Sequence, residues 1–326
     1  MKRLGVLIVC LALILTSLPI APIVAFGEES TNDNIKIDTS GYTVIDGIED
    51  YEVDGSKITL KLKDGNKTQI SFLSHNIFRY YVDINDSEFL EYPNPRSRNH
   101  EATIVARPDS DWFDEVGVRP VVEDGDVLKI STDKVTLLID KKTSQLTVKN
   151  KSGEIVLEEV APIMYKPGQT IQSLSEGSDE YFFGGGMQNG RFTHKGESIK
   201  IENTNNWVDG GVASPNPFYW STKGYGVVRN TFQPGEYDFG NTNDGIVQTR
   251  HNENRFDAYI FVADDPVGIL NEYTNLTGKP AHLPDYAFYL SHLNCYNRDA
   301  WKEVPKGTSG AKHIDGKYYV ETNRGG

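Results

Sequence analysis

Cysteine is nearly absent from this chain of 326 residues: Cys10 and Cys295 are the two. Cys10 sits inside the N-terminal apolar run, too early to be a lipoprotein attachment site. If that run is removed as an export signal, Cys295 stands alone and no internal disulfide can form. Stability then rests on burial and hydrogen bonding. Basic residues are also scarce, with 33 Lys and Arg against 46 Asp and Glu and a net charge of −13. Loss of the first 27 residues, which hold Lys2 and Arg3 but no acid, takes the charge to −15. Such a surface repels a polyanion, so a nucleic-acid partner is excluded. No second long apolar run follows Leu4 to Leu18, and that run is short for a bilayer, so no stable membrane span is expected. His282, His292 and Cys295 lack the spacing of a metal site, and the glycine-rich stretch at Gly184 is followed by no Lys-Ser/Thr and no helix, which excludes a phosphate loop. Neither a metal nor a cofactor is expected.

What is present is apolar and aromatic: 38% hydrophobic residues, with 17 Tyr and 14 Phe, enough to bury one or two cores. Lys2 and Arg3 before the apolar run, and Ala25 and Gly27 before Glu28, read as a signal peptide over residues 1–27, with an N-terminal anchor kept uncleaved as the alternative; the expectation is a secreted or cell-surface protein. Between Ile35 and Thr277 the pattern is short alternating runs punctuated by turn residues. Ile58-Thr-Leu-Lys-Leu-Lys turns through Asp64-Gly-Asn-Lys into Thr68-Gln-Ile-Ser-Phe-Leu, a hairpin. Val127–Ser131, Val135–Asp140, Gln145–Lys149, Tyr225–Asn230 and Ala258–Ala263 repeat the habit. So many antiparallel strands bury most economically as two stacked sheets, which predicts a mainly β fold with a β-sandwich over 28–277. Near Asp264 the grammar changes to an acidic N-cap, a proline in the first helical turn and a closing Gly278. Tyr286 to Asn294 then reads as a strand buried on both faces, opening a second, incomplete domain over 278–326. Pro305 to Gly326 is expected to be turn-like.

The ordered segments Tyr181-Phe-Phe-Gly-Gly-Gly-Met-Gln-Asn-Gly, Asn205-Asn-Trp-Val-Asp-Gly, Ser214-Pro-Asn-Pro-Phe-Tyr-Trp-Ser and Gly224-Tyr-Gly-Val-Val-Arg-Asn-Thr resemble the N-terminal part of glycoside hydrolase family 31, over nearly all of the mature length. The resemblance implies a galactose mutarotase-like β-sandwich followed by the start of a catalytic (β/α)8 barrel, of which residues 278–326 would be the first part. It implies a retaining α-glycosidase acting on an α-linked oligosaccharide or glycan. Gly185-Gly-Met-Gln-Asn-Gly and Leu290-Ser-His-Leu-Asn-Cys-Tyr depart from the commonest α-glucosidase pattern and resemble a branch acting on α-N-acetylgalactosaminides or α-galactosides. The two family aspartates lie on later barrel strands and match no acid in this chain. Catalytic residues are therefore assigned to none of its positions, and the chain by itself is expected to be inactive. The reading from a different class is a secreted carbohydrate-binding β-sandwich without catalysis.

Five positions are candidate substrate contacts. Trp207 offers an aromatic face for the C–H surface of a sugar and Asp209 an acceptor for its hydroxyls; both lie in a Gly- and Asn-rich loop that the resemblance places over the barrel mouth, and a merely solvated loop is the alternative. His292, Asn294 and Tyr296 alternate along the expected barrel strand and share a face, with His292 deep enough to be a hydrogen-bonded core residue instead. Gly184 to Gly186 read as a bend or bulge rather than a ligand loop, Gln188, Asn189 and Arg191 as sugar-hydroxyl partners or simply solvated residues, and at least one of Phe218 and Trp220 as core.

Overall fold

The computed structural model describes residues 37–84, 89, 104–106, 116, 118, 121–188, 192–202, 212–288 and 300–322. The chain divides into two compact units, Met1–Gly278 and Lys279–Gly326. In the first, the strands are β1 (Thr43–Val44), β2 (Ile48–Asp54), β3 (Lys57–Leu62), β4 (Lys67–Phe72), β5 (Ile77–Asp83), β6 (Val122–Asp124), β7 (Val127–Ser131), β8 (Val135–Asp140), β9 (Leu146–Asn150), β10 (Ile155–Lys166), β11 (Gln169–Ser175), β12 (Phe182–Gln188), β13 (Ser198–Ile201), β14 (Val212–Ser221), β15 (Tyr225–Arg229), β16 (Gly235–Phe239), β17 (Ile246–His251) and β18 (Phe256–Val262). They form two antiparallel sheets. One runs β13-β16-β17-β11-β10-β9-β8-β7-β6 with β1 paired to β10, the other β12-β14-β15-β18-β5-β4-β3-β2.

The alternation explains the packing. Ile58, Leu60 and Leu62 of β3 and Val135, Leu137 and Ile139 of β8 put every second side chain into one core between the sheets, joined there by Phe72, Phe78, Tyr80 and Phe256. The central strands β5 and β18 are buried at every position because their other face is covered as well. There Ile77, Phe218, Val228, Tyr259 and Phe261 pack with Ile269 and Leu276 of the single α-helix among the described residues, α1 (Pro266–Thr277). Its boundaries follow the expected chemistry. Asp265 caps the start by accepting from the Gly268 N–H at 2.7 Å, Pro266 needs no N–H partner at N1, and the Gly278 N–H closes the last turn on the Thr274 carbonyl at 2.9 Å. No helix of the described residues is long and apolar enough to cross a membrane.

Burial shifts several ionisable side chains of this core, and two of them, Glu159 and His251, are moved within the pH range where proteins are handled. Glu159 is 3% exposed, and burial pushes its carboxyl up from 4.5 to about 8, against the opposing bonds from Gln172 Nε2 (2.8 Å) and the Leu146 N–H (3.0 Å). His251 is fully buried, and burial followed by the Arg229 charge lowers it from 6.5 to about 3. Its Nδ1 lies 2.9 Å from the Gln233 carbonyl, an obligatory acceptor, so that nitrogen carries the hydrogen and Nε2 accepts from the Tyr237 hydroxyl at 3.0 Å.

The linkage signs oppose each other. The folded state holds the Glu159 proton between 4.5 and about 8, so raising the pH through that window destabilises it; the unfolded state takes up the His251 proton between 6.5 and about 3, so lowering the pH through that window destabilises it. From 4.5 to 6.5 the two slopes cancel. Their joint contribution is a plateau there, falling by about 1.4 kcal/mol per pH unit on either side, and the carboxyls of Glu176 and Glu253, also raised by burial, add to the alkaline limb. Urea midpoints across pH 3–9 check this. Glu159→Gln should flatten the alkaline limb and leave the acid limb, and an alkaline limb unchanged in that variant would mean that another group produces it.

The second unit differs from the reading of the sequence. Asp285–Phe288 is a turn of 3₁₀ helix with Tyr286 72% exposed, where a doubly buried strand was expected to begin. Residues 289–299 lie outside the described ones. The stretch expected to be turn-like instead joins a three-stranded antiparallel sheet of β19 (Ala300–Val304), β20 (Lys312–Ile314) and β21 (Lys317–Thr322) in the order β19-β21-β20. Its hairpin turns on Asp315 and Gly316, both at positive φ (49° and 80°), the backbone of a type I′ turn.

Candidate functional site

Gly184, Gly185 and Gly186 interrupt β12 at φ of 114°, 74° and 78°. The pairing of β12 with β14 shifts register between Gly184 and Gly186, so the triple glycine is the expected bulge. It also permits a close approach. A Cβ on Gly184 would stand 2.5 Å from the Phe218 carbonyl oxygen, and one on Gly186 2.2 Å from that of Ser214. The chain beyond β12 folds back against it: the His194 N–H donates to the Phe182 carbonyl (2.9 Å), and His194 Nε2 lies 2.9 Å from the Gly184 carbonyl, with the ring stacked on Phe239. Lys195 holds the base of this return by donating to Glu176 Oε1 (2.6 Å) and to the carbonyls of Gly177 and Glu180.

Around the bulge stands an aromatic group. Phe183 stacks on Trp220 at 4.5 Å, and Phe192, 90% exposed, meets Phe183 edge-on at 5.5 Å, with Met187 also exposed nearby in sequence. Strand alternation separates the neighbouring rings. Tyr219 enters the inter-sheet core, whereas Phe218 and Trp220 face the other way; Phe218 is core, but of the second cluster, stacked on Tyr273 of α1 at 4.1 Å. Asn216 Nδ2 donates to the Tyr273 hydroxyl at 2.9 Å, so the helix grips β14 near its middle. Gln188 is not poised for a ligand: its Nε2 donates to the carbonyls of Gly185 (2.7 Å) and Lys200 (3.2 Å) and braces the bulge.

The five candidate contacts Trp207, Asp209, His292, Asn294 and Tyr296 lie outside the described residues, as do Arg191 and Asn189. Of the first two, only the flanking strands are described: β13 ends at Ile201 on the edge of one sheet and β14 begins at Val212 in the other. His194, Phe192 and Tyr273 were missed in the sequence, where no periodicity marks them.

The sequence profile of the "Glycosyl hydrolase 31 N-terminal galactose mutarotase-like domain" matches residues 67–238, more than half of the chain. The chain belongs to glycoside hydrolase family 31. This family 31 chain is 30% identical over 128 residues to an α-xylosidase of Emericella nidulans, covering 38% of the chain and 16% of the relative. It is 23% identical over 276 residues to α-glucosidase 2 of Bacillus thermoamyloliquefaciens, covering 79% and 34%. Its fold is that of a family 31 dextranase of Flavobacterium johnsoniae solved with isomaltotriose, with TM-score 0.66, 20% identity, 75% of this chain and 30% of that one. The chain thus spans about a sixth to a third of these relatives. The triple-glycine bulge, β13 and the whole of β14 fall inside the matched residues.

Proposed function

We propose that this chain is the N-terminal portion of a secreted retaining α-glycosidase, with the β-sandwich carrying a loop that helps to hold an α-linked oligosaccharide. The match of residues 67–238 to the family's N-terminal domain is the observation that carries this reading. A retaining mechanism needs two carboxyl groups ~5–5.5 Å apart on a rigid frame, one as nucleophile and one as acid/base. In this reading a (β/α)8 barrel supplies them, and the sandwich supplies orientation. Trp207 contributes a stacking face and Asp209 a charged acceptor, with Asn294, Tyr296 and His292 on the barrel side. Residues 1–27 direct export and leave a secreted or cell-surface protein.

The named relatives are an α-xylosidase, an α-glucosidase and a dextranase, which supports α-xylosides or α-glucosides as the substrate class. Only the departures at Gly185–Gly190 and Leu290–Tyr296 support α-N-acetylgalactosaminides or α-galactosides instead. A carbohydrate-binding sandwich without catalysis is the competing class, and one experiment separates them. Aryl α-glycosides are offered to the 326-residue chain and to the complete enzyme that carries it. The expected result is no turnover by the chain and clear turnover by the complete enzyme, with Trp207→Ala raising KM several-fold at nearly unchanged Tm. Absence of turnover by the complete enzyme on α-xylosides, α-glucosides, α-galactosides and α-N-acetylgalactosaminides alike would sink the glycosidase reading.

A further inference from the structure

Two apolar stripes run along α1 instead of one. Ile269, Tyr273 and Leu276 face the second sheet, and on the side turned away from it Val267 and Leu270 stand out in solvent, 68% and 46% exposed. Singly, an exposed valine or leucine carries no message, whereas a contiguous apolar surface does. This one is contiguous with the aromatic group. Trp220 packs against the cluster that holds Ile269 and Leu276, Phe183 stacks on Trp220, and the exposed Phe192 closes the row edge-on to Phe183. An apolar band therefore leads from Phe192 across β12 and β14 and over α1.

We propose that this band is the surface on which the sandwich docks the catalytic barrel, through the part of the barrel that this chain does not contain; the choice of partner rests on the function proposed above. Three observations select it. A helix that is apolar on two sides belongs between two partners, and the second sheet supplies one of them. The fold shared with the dextranase takes in 75% of this chain and leaves most of that one outside, so the family fold holds a large further body that can supply the other. α1 is also the last element of the first compact unit, closed at Gly278, so polypeptide that follows starts from this helix and meets the band at high effective concentration. A second copy would have to compete with that tether. A sugar fits the band poorly, because Phe183, Phe192, Val267 and Leu270 offer its hydroxyls no hydrogen-bond partner.

The same substitutions in two contexts test this. In the 326-residue chain, Phe192→Ser and the pair Val267→Gln with Leu270→Gln alter solvent-exposed positions, so each should hold Tm within about 2 °C of the parent. In the complete enzyme these side chains are buried by the barrel, so each variant should lower the Tm of the sandwich by at least about 5 °C in scanning calorimetry. Equal shifts in the two contexts, or no shift in the complete enzyme, would overturn the docking surface. So would sedimentation of the parent 326-residue chain as a dimer that Phe192→Ser converts to a monomer, since the occupant would then be a second copy. Failure of the glycosidase reading looks different: a complete protein that hydrolyses no α-glycoside and still loses Tm only in the longer form keeps the docking surface and sinks the activity.

Discussion

Asp257→Ala is expected to cost about 3–5 kcal/mol of folding stability, enough to leave many domains largely unfolded at ambient temperature. Asp257 and Arg79 form a bidentate pair, Nε to Oδ1 at 2.7 Å and Nη2 to Oδ2 at 2.6 Å, with side chains 2% and 4% exposed. Asn230 Nδ2 adds a third bond to Oδ2 at 2.8 Å, and the guanidinium lies over the rings of Tyr81 and Tyr259. Truncating the acid removes a bidentate carboxylate from a buried cation, and the low dielectric that strengthens the pair makes that loss expensive. The pair's net worth is a different quantity. Replacing both partners by apolar residues, Arg79→Met with Asp257→Leu, should recover most of the loss, because desolvating two charges offsets much of their attraction. Urea denaturation of the two variants decides it. A loss below about 1 kcal/mol in Asp257→Ala would mean that water reaches the guanidinium.

Gly186→Ala should be the second severe substitution. A left-handed backbone costs a non-glycine residue about 1–2 kcal/mol, and forcing a methyl into a packed site adds about 1–3 kcal/mol. Gly186 carries both burdens. At φ 78°, its Cβ would fall 2.2 Å from the Ser214 oxygen and 2.6 Å from the Asn216 nitrogen, backbone atoms that move only if β14 moves. Gly196 is the matched control, with φ 73° and nothing within 4 Å of its Cβ position, so Gly196→Ala should show the conformational cost alone. Thermal melts should place Gly186→Ala well below Gly196→Ala. Equal losses would show that β14 yields to the methyl at little cost.

Periodicity made much of the sandwich readable in advance. Val127–Ser131 and Val135–Asp140 fold as the strands the alternation marks, and the cap of α1 sits on the Asp-Pro and Gly that announced it. The signal failed where burial is decided by a distant element. Phe218 and Trp220 share a face that only α1 and β12 define, so no local pattern could tell which core Phe218 joins. Tyr286 opens a run apolar enough for a buried strand, yet it lies in an exposed 3₁₀ turn. The hairpin at Asp315-Gly316 is legible through its turn dipeptide between Ile314 and Lys317-Tyr-Tyr-Val, but the polar, glycine-rich stretch around it masks the signal. For the site, the bulge could be foreseen from three consecutive glycines. The roles of Gln188 and His194 as braces depend on carbonyls that only the folded chain brings near.

Pairing of β5 with β18 has a consequence for how the molecule is made. Arg79 and Asp257 are 178 residues apart in the chain, yet they sit on neighbouring central strands of one sheet. Contacts of such long sequence separation close late, since loop entropy must be spent before they reward it. At a synthesis rate of about 5–20 residues per second, the hairpins of β2 to β5 wait roughly 10–35 s for their partner strand to emerge. During that interval the apolar faces of Phe72, Phe78 and Tyr80 have nothing from β18 to cover them, so a nascent chain of this family 31 domain is a natural client for holding factors until residue 262 is free.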